Sequence, residues 1–205
     1  MRFSFLVRAS SAAVLVALSF ASSTAAQTDH ADGNGAVVDL SRIRINNFGR
    51  INASYYRGEQ PEGRDYTDLA ALGVRTIVDL QKDGENLDEA RLVEEAGMKF
   101  HRIPMTTHVP PTPEQVSSFL GIVNDLNSQP VYVHCAGGRH RTGVMTAVYR
   151  MENDGWTADQ AFREMKQYKF GPDFLHTEFK RFVYGYRPLL KTPVSPVLAL
   201  TTAPG

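Results

Sequence analysis

Short runs of apolar, β-rich residues alternate along this chain with capped helical patterns, and the alternation predicts a layered fold. Residues 74–80 (VRTIVDL), 98–103 and 130–134 (PVYVH) are short runs rich in β-branched and aromatic side chains. The first two follow Gly73 and Gly97, the third opens on Pro130, and all three read as strands, with a weaker run at 54–57. Helical patterns fall between and after them. Val116, Phe119, Leu120, Val123 and Leu126 share one face of a predicted helix. Thr112 with Gln115, and Asn86 with Glu89, have the spacing of capping boxes, and Pro113 suits a first helical position. Gly73 and Gly97 stand where left-handed residues end helices. Farther on, Val144, Met145, Val148 and Met151 define another helical face. Thr157 with Gln160 then opens a helix carrying Ala161, Phe162, Met165 and Tyr168. The expected class is α/β: a central, mostly parallel sheet flanked by helices, with a C-terminal helical cluster. Trp156 belongs to the predicted core.

Composition narrows the class without changing it. The chain has 205 residues, 42% hydrophobic and 21% charged, which is a globular balance of single-domain size. The working domain is placed at residues 43–190. Residues 27–42 and 191–205 are expected to be flexible, the first for its polar, Gly-containing start, the second for three prolines and almost no charge.

Chemistry concentrates in residues 134–143, HCAGGRHRTG, between the last predicted strand and a helix. Three glycines allow a tight turn in which successive amides point inward. The helix N-terminus adds the positive end of its dipole, so the concavity suits a phosphate. The same field stabilises a thiolate, which makes Cys135 a candidate nucleophile. Arg141, six positions on, can grip two phosphate oxygens with its planar fork and follow the charge that spreads over the phosphoryl group. The Thr142 hydroxyl can hydrogen-bond the sulfur as thiolate departs. His134 is expected to orient the loop.

The C-x5-R-[ST] pattern resembles the signature of protein tyrosine and dual-specificity phosphatases. GRHRTG at 138–143 looks like the GKHRTG of the plant and fungal atypical dual-specificity type. Asn47-Phe48-Gly49, Tyr56-Arg57-Gly58 with Gln60-Pro61, Leu72-Gly73-Val74 and Pro130-Val131 fall in matching order, so the resemblance covers roughly residues 45–185. It implies a compact α/β phosphatase domain that acts without metal or other cofactor. Cys135 is then the nucleophile and Arg141 the phosphate-binding arginine, while Ala136, Gly137, Gly138, Arg139 and His140 form the substrate-binding loop. Arg139 stands where the family has lysine; a cation at the rim suits highly phosphorylated small molecules, and the resemblance implies inositol pyrophosphates or phosphoinositides as one substrate class, beside phosphoproteins. Ala136 replaces the charged residue often found there, and His140 reads as a rim contact or a loop strut.

Monoester cleavage of this kind normally uses an aspartate on a separate loop, worth about 10²- to 10⁴-fold in rate. Residues 105–111 (MTTHVPP) contain no carboxylate, so His108 is the candidate general acid, with Asp79 and Asp83 in reserve. Phosphate or phenolate leaving groups need protonation less than an alkoxide does, which disfavours phosphoserine as substrate. Two rivals stand beside a phosphoprotein phosphatase: an inositol phosphate or phosphoinositide phosphatase, and a phosphate-binding pseudophosphatase. Sulfur transfer or arsenate reduction would often need a second thiol, and this chain has one cysteine.

The N-terminus carries Arg2 and Arg8, an uncharged apolar stretch over 12–20, and small residues up to Ala26. It reads as a cleaved export signal, too short in its apolar core to span a bilayer. Periplasmic or secreted residence follows, with no stable membrane insertion after cleavage. Removing residues 1–26 takes the formal charge from zero to minus two, which offers nucleic acid no electrostatic footprint. A lone thiol in an oxidising compartment cannot close an internal disulfide, which sets Cys135 apart further. Exported protein is expected to begin near Gln27 by N-terminal sequencing, and a chain still starting at Met1 would overturn the cleavage.

Overall fold

The computed structural model describes residues 39–84 and 86–189, so the predicted export signal and C-terminal tail lie outside the described residues. Five strands, β1 (Gly49–Asn52), β2 (Tyr55–Glu59), β3 (Thr76–Gln81), β4 (Lys99–Met105) and β5 (Val131–Cys135), form one sheet in the order β1-β2-β5-β3-β4. Only the β1–β2 pair is antiparallel; β2–β5, β5–β3 and β3–β4 run parallel. The expected mostly parallel sheet is therefore present. All residues of β3 and β5 are buried, as central parallel strands covered on both faces require.

Six helices cover the two faces. α1 (Asp65–Ala71) and α2 (Glu89–Glu95) contribute Tyr66, Leu69 and Val93 to one layer, against Ile77 and Tyr132. α3 (Pro113–Val123), α4 (Arg141–Asn153), α5 (Ala158–Gln167) and α6 (Thr177–Gly185) cover the other face. There Phe119, Met145, Val148, Phe162 and Phe179 pack with Val78, Val131 and Val133. α4 is buried along most of its length because α3, α5 and α6 surround it. Trp156 packs at the edge of this layer, with Arg150 over its ring.

The Thr112/Gln115 and Thr157/Gln160 capping boxes are both formed, with Pro113 in the first turn of α3. Gly73 and Gly97 have φ of 94° and 82°, the left-handed conformation expected of them. Two expectations need correction. Leu126 lies beyond the C-cap of α3 and is exposed rather than in its apolar stripe. Asn86 and Glu89 form no capping box: α2 starts after Asp88, Asn86 accepts from the Asp88 amide, and the Glu89 carboxylate turns inward. There Glu89 Oε1 accepts from Gln60 Nε2 at 2.7 Å and from the Tyr66 hydroxyl at 3.4 Å, with His134 Nε2 3.0 Å away. Among the described residues, no helix is long and apolar enough to cross a membrane.

Candidate active site

Cys135 ends β5 at the centre of the sheet, and His140 is already the N-cap of α4. Residues 136–140 thus form the whole connection between strand and helix, at the carboxyl edge where open parallel sheets place ligands. The first amides of α4 are without intrahelical partners and open into this turn.

The loop's shape is imposed largely from outside it. Asn47 Nδ2 donates to the Gly138 carbonyl at 2.8 Å and to the Tyr168 carbonyl at 3.0 Å. Arg57 Nη2 donates to the same Gly138 oxygen. In a trans peptide the N–H points opposite to the C=O. Drawing the Gly138 carbonyl outward therefore turns the Arg139 amide inward, and that amide is among the groups stabilising the Cys135 thiolate. Gly138 has φ of 61°, and a Cβ there would collide with the Gly58 carbonyl, so glycine alone lets the loop lie this close to β2. Arg57 is fully buried, with its guanidinium carbon 4.1 Å from the centroid of the Tyr168 ring.

Cys135 is buried as well. Burial raises a thiol's affinity for its proton, but here it is outweighed by the Thr142 hydroxyl, the Thr142 amide, the Arg141 charge and the Arg139 amide. The thiol accordingly sits below its ordinary value of 9.0. The Thr142 hydroxyl has no other partner among the protein's nitrogens and oxygens. Arg141 is held along one edge: Nη1 donates to Asp83 Oδ1 at 2.6 Å and to the Met105 carbonyl at 3.1 Å. Its Nε is buried without an acceptor, the kind of donor that a phosphate oxygen satisfies.

The remaining candidates fall into place around this centre. His140 is a strut: Nε2 lies 3.0 Å from the Phe170 carbonyl, and the ring packs edge-on against Phe170 and within 3.7 Å of the His176 ring. Burial, then the neighbouring His176, push its pKa down to about 4, so at neutral pH it is uncharged and donates to Phe170. Ala136 and Arg139 are exposed at the rim, while Gly137 is half-buried. His108 lies in the loop after β4, exposed, with Nδ1 3.8 Å from Glu178 Oε1. Asp83 serves as the acceptor for Arg141. Asp79 is fully buried, accepting from Arg102 Nε at 2.7 Å and from the Gln81 amide at 2.8 Å, whereas the Asp83 side chain is 57% exposed and meets Arg141 through Oδ1. His134 is enclosed behind the loop, between Glu89 and, at 4.0 Å, Asp79.

Several of these residues escaped sequence reasoning. Asn47 and Arg57 were visible only as parts of matching segments, and Tyr168 only as one more apolar position on a helix. A charged residue inside the run YYRGE was a usable signal, because an arginine in a buried strand needs a partner.

A buried, acidified thiol beneath inward amides, with a fixed arginine on a five-stranded α/β sheet, defines the cysteine-phosphatase class. Residues 34–181 match the family described as PTP-NADK, a DSP-PTPase phosphatase fused to NAD+ kinase, and the chain belongs to that family. It is 27% identical over 128 residues to the inositol diphosphatase DSP2 of Oryza sativa, covering 60% of this chain and 61% of that one. It is 28% identical over 131 residues to the dual specificity protein phosphatase TpbA of Pseudomonas aeruginosa, covering 62% and 56%. The chain thus spans about three-fifths of the length of these relatives. The crystal structure of P. aeruginosa TpbA superposes with a TM-score of 0.60 at 27% identity, covering 73% of this chain and 88% of that one. The catalytic core of SIW14 from S. cerevisiae, solved with citrate, gives 0.63 at 22% identity over 71% and 88%, a likeness of fold.

Two predictions follow from the electrostatics. Iodoacetamide labelling against pH is expected to give Cys135 a midpoint below the ordinary thiol range, and Thr142→Ala to move it upward; an unshifted midpoint in both proteins would contradict the cradle. The His140 ring binds its proton near 6.5 when unfolded and near 4 when folded. Its contribution to stability is therefore complete above about 6.5 and is lost as pH falls through about 4. His140→Gln should flatten the decline of urea midpoints across that interval.

Proposed function

We propose that this chain is a cysteine-dependent phosphatase of the protein tyrosine and dual-specificity type, hydrolysing phosphate esters or anhydrides through a phosphocysteine. The observation that carries the reading is the pairing of an acidified Cys135 with an Arg141 whose Nε lacks an acceptor. In the first step the thiolate attacks phosphorus, the bond to the leaving oxygen breaks, and that oxygen takes a proton from the His108 imidazolium. In the second, water attacks phosphorus and gives up a proton to the solvent, the P–S bond breaks, and the departing thiolate is received by the Thr142 hydroxyl. Inward amides and the guanidinium hold the equatorial oxygens throughout, where charge redistributes in the transition state. Phosphotyrosine suits this site because a phenolate leaves readily, and a TpbA cysteine-to-serine form was solved with pTyr at 26% identity.

A second substrate reading, an inositol pyrophosphate or phosphoinositide, draws support from the exposed Arg139 and from the similarity to the rice inositol diphosphatase. A phosphate leaving group also tolerates the absence of an aspartate. We infer in addition, from the pattern of residues 1–26, that the enzyme is exported to the periplasm or beyond.

Hydrolysis of an aryl phosphate is expected to vanish in Cys135→Ser and to fall roughly 10²- to 10³-fold or more in Arg141→Ala. Activity surviving in Cys135→Ser would overturn the mechanism, and no activity in the wild type would leave a phosphate-binding pseudophosphatase. His108→Ala should slow alkyl phosphates by about 10²-fold or more while sparing aryl phosphates and anhydrides. Equal losses on all three would remove His108 from the acid role. A panel of phosphopeptides, phosphoinositides and inositol pyrophosphates ranks the substrate classes.

A further inference from the structure

The proposed reaction uses His108 but leaves its neighbours unexplained. His176, the N-cap of α6, gives that helix no side-chain cap. Glu178, in the first turn, places Oε1 3.5 Å from His176 Nδ1 and 3.8 Å from His108 Nδ1, and one ligand atom from each of the three residues lies within 4.8 Å of the others. The two imidazoles face each other with ring centroids 5.4 Å apart. Glu178 Oε1 is buried and accepts no hydrogen bond, an arrangement that costs free energy unless a cation comes to it.

These spacings are close to a metal's requirements. A tetrahedral zinc ion with bonds of about 2.0–2.1 Å has ligand atoms roughly 3.3–3.4 Å apart. Two of the three edges are already within about half an ångström of that. The third can close by movement of His108, whose side chain is 74% exposed on a loop. Two imidazoles and one carboxylate suit zinc and its late first-row neighbours, whereas magnesium and calcium prefer all-oxygen shells. His176 Nδ1 also lies 3.2 Å from the Thr107 carbonyl, so a metal would replace the proton shared there. The other such cluster, Asp79, Glu89 and His134, is fully buried, and its carboxylates already accept from Arg102, Gln81 and Gln60.

We propose that His108, His176 and Glu178 form a site for a zinc-class divalent cation at the rim of the catalytic loop, and that its occupancy withdraws His108 from proton donation. The second clause rests on the acid role given to His108 above; the first does not. The ring of His140, within the loop, lies against His176, so the site is mechanically joined to the cradle.

The test uses untagged full-length protein and zinc itself. Cys135→Ser removes the thiolate as a competing ligand and is expected to take one equivalent of zinc from a chromogenic chelator. Adding Glu178→Gln or His108→Ala to Cys135→Ser should weaken binding roughly tenfold or more, at least the loss seen on removing outer partners of a metal ligand. Zinc should also raise the melting temperature of Cys135→Ser but not of its Glu178→Gln form, a readout that keeps a folding defect distinct from a lost ligand. No binding by Cys135→Ser, or equal binding by all variants, overturns the site. With the wild type, zinc is expected to slow alkyl phosphates more than aryl phosphates. An excess inhibition of alkyl over aryl phosphates that is absent, or that persists unchanged in Glu178→Gln, overturns the second clause, and absence of all hydrolysis overturns the phosphatase reading without touching the binding result.

Discussion

One peptide group organises this molecule: the Gly138–Arg139 link, whose carbonyl is drawn out of the loop by Asn47 and Arg57. Reversing it would replace an amide with a carbonyl oxygen beside the sulfur, and a thiolate cannot form against a wall of acceptors. The constraint reaches far along the chain. Asn47 ties the loop to the end of α5 through the Tyr168 carbonyl, and the Tyr168 ring provides the face on which Arg57 rests. Gly49 has no side chain because a Cβ there would run into that ring. Four short segments, around residues 48, 57, 138 and 168, therefore interlock on one orientation.

Burying Arg57 is expensive, since removing an ion from water costs several kcal/mol even after relaxation. Burial lowers its affinity for its proton, while Tyr55, Tyr168, Glu164 and, last, Cys135 act in the opposite sense. Arg141 is managed differently: Asp83 and the Met105 carbonyl hold one edge of its guanidinium, which fixes its plane before any phosphate arrives. Such preorganisation matters because the loss of side-chain freedom is borne by folding and not by binding.

Much of this was legible in residue order. Short runs of β-branched and aromatic residues, two capping boxes and a Gly-rich turn at a strand end are local signals, and the structure contains all of them. β1 was not recognised, because Arg50 and Asn52 interrupt its apolar pattern at a sheet edge. Glu89 was misread for the opposite reason. Its spacing from Asn86 satisfied a local rule, while Gln60, 29 positions away, donates to the carboxylate. The donors that aim the loop were hidden because their partner is a backbone oxygen, and nothing in a sequence marks one carbonyl from another. Side chains with chemistry of their own stood out in the sequence as candidates; those that act through the backbone did not.

The separation between nucleophile and acid has a structural basis. Cys135 and Arg141 belong to β5 and α4, the most enclosed strand and helix, and their geometry is fixed by the core. His108 stands on an exposed loop, beside Glu178 and the His176 ring at the start of α6. In the proposed reaction, phosphate capture and attack draw on the rigid part, and leaving-group protonation draws on the adaptable part. Changes around α6 can therefore alter which leaving groups are accepted while the cradle stays as it is. A single scaffold of this kind can handle phenolate or phosphate leaving groups on the strength of its core alone. In the proposed reaction alkoxides call on His108 for a proton, so the neighbours of that residue set how broad the proposed repertoire is.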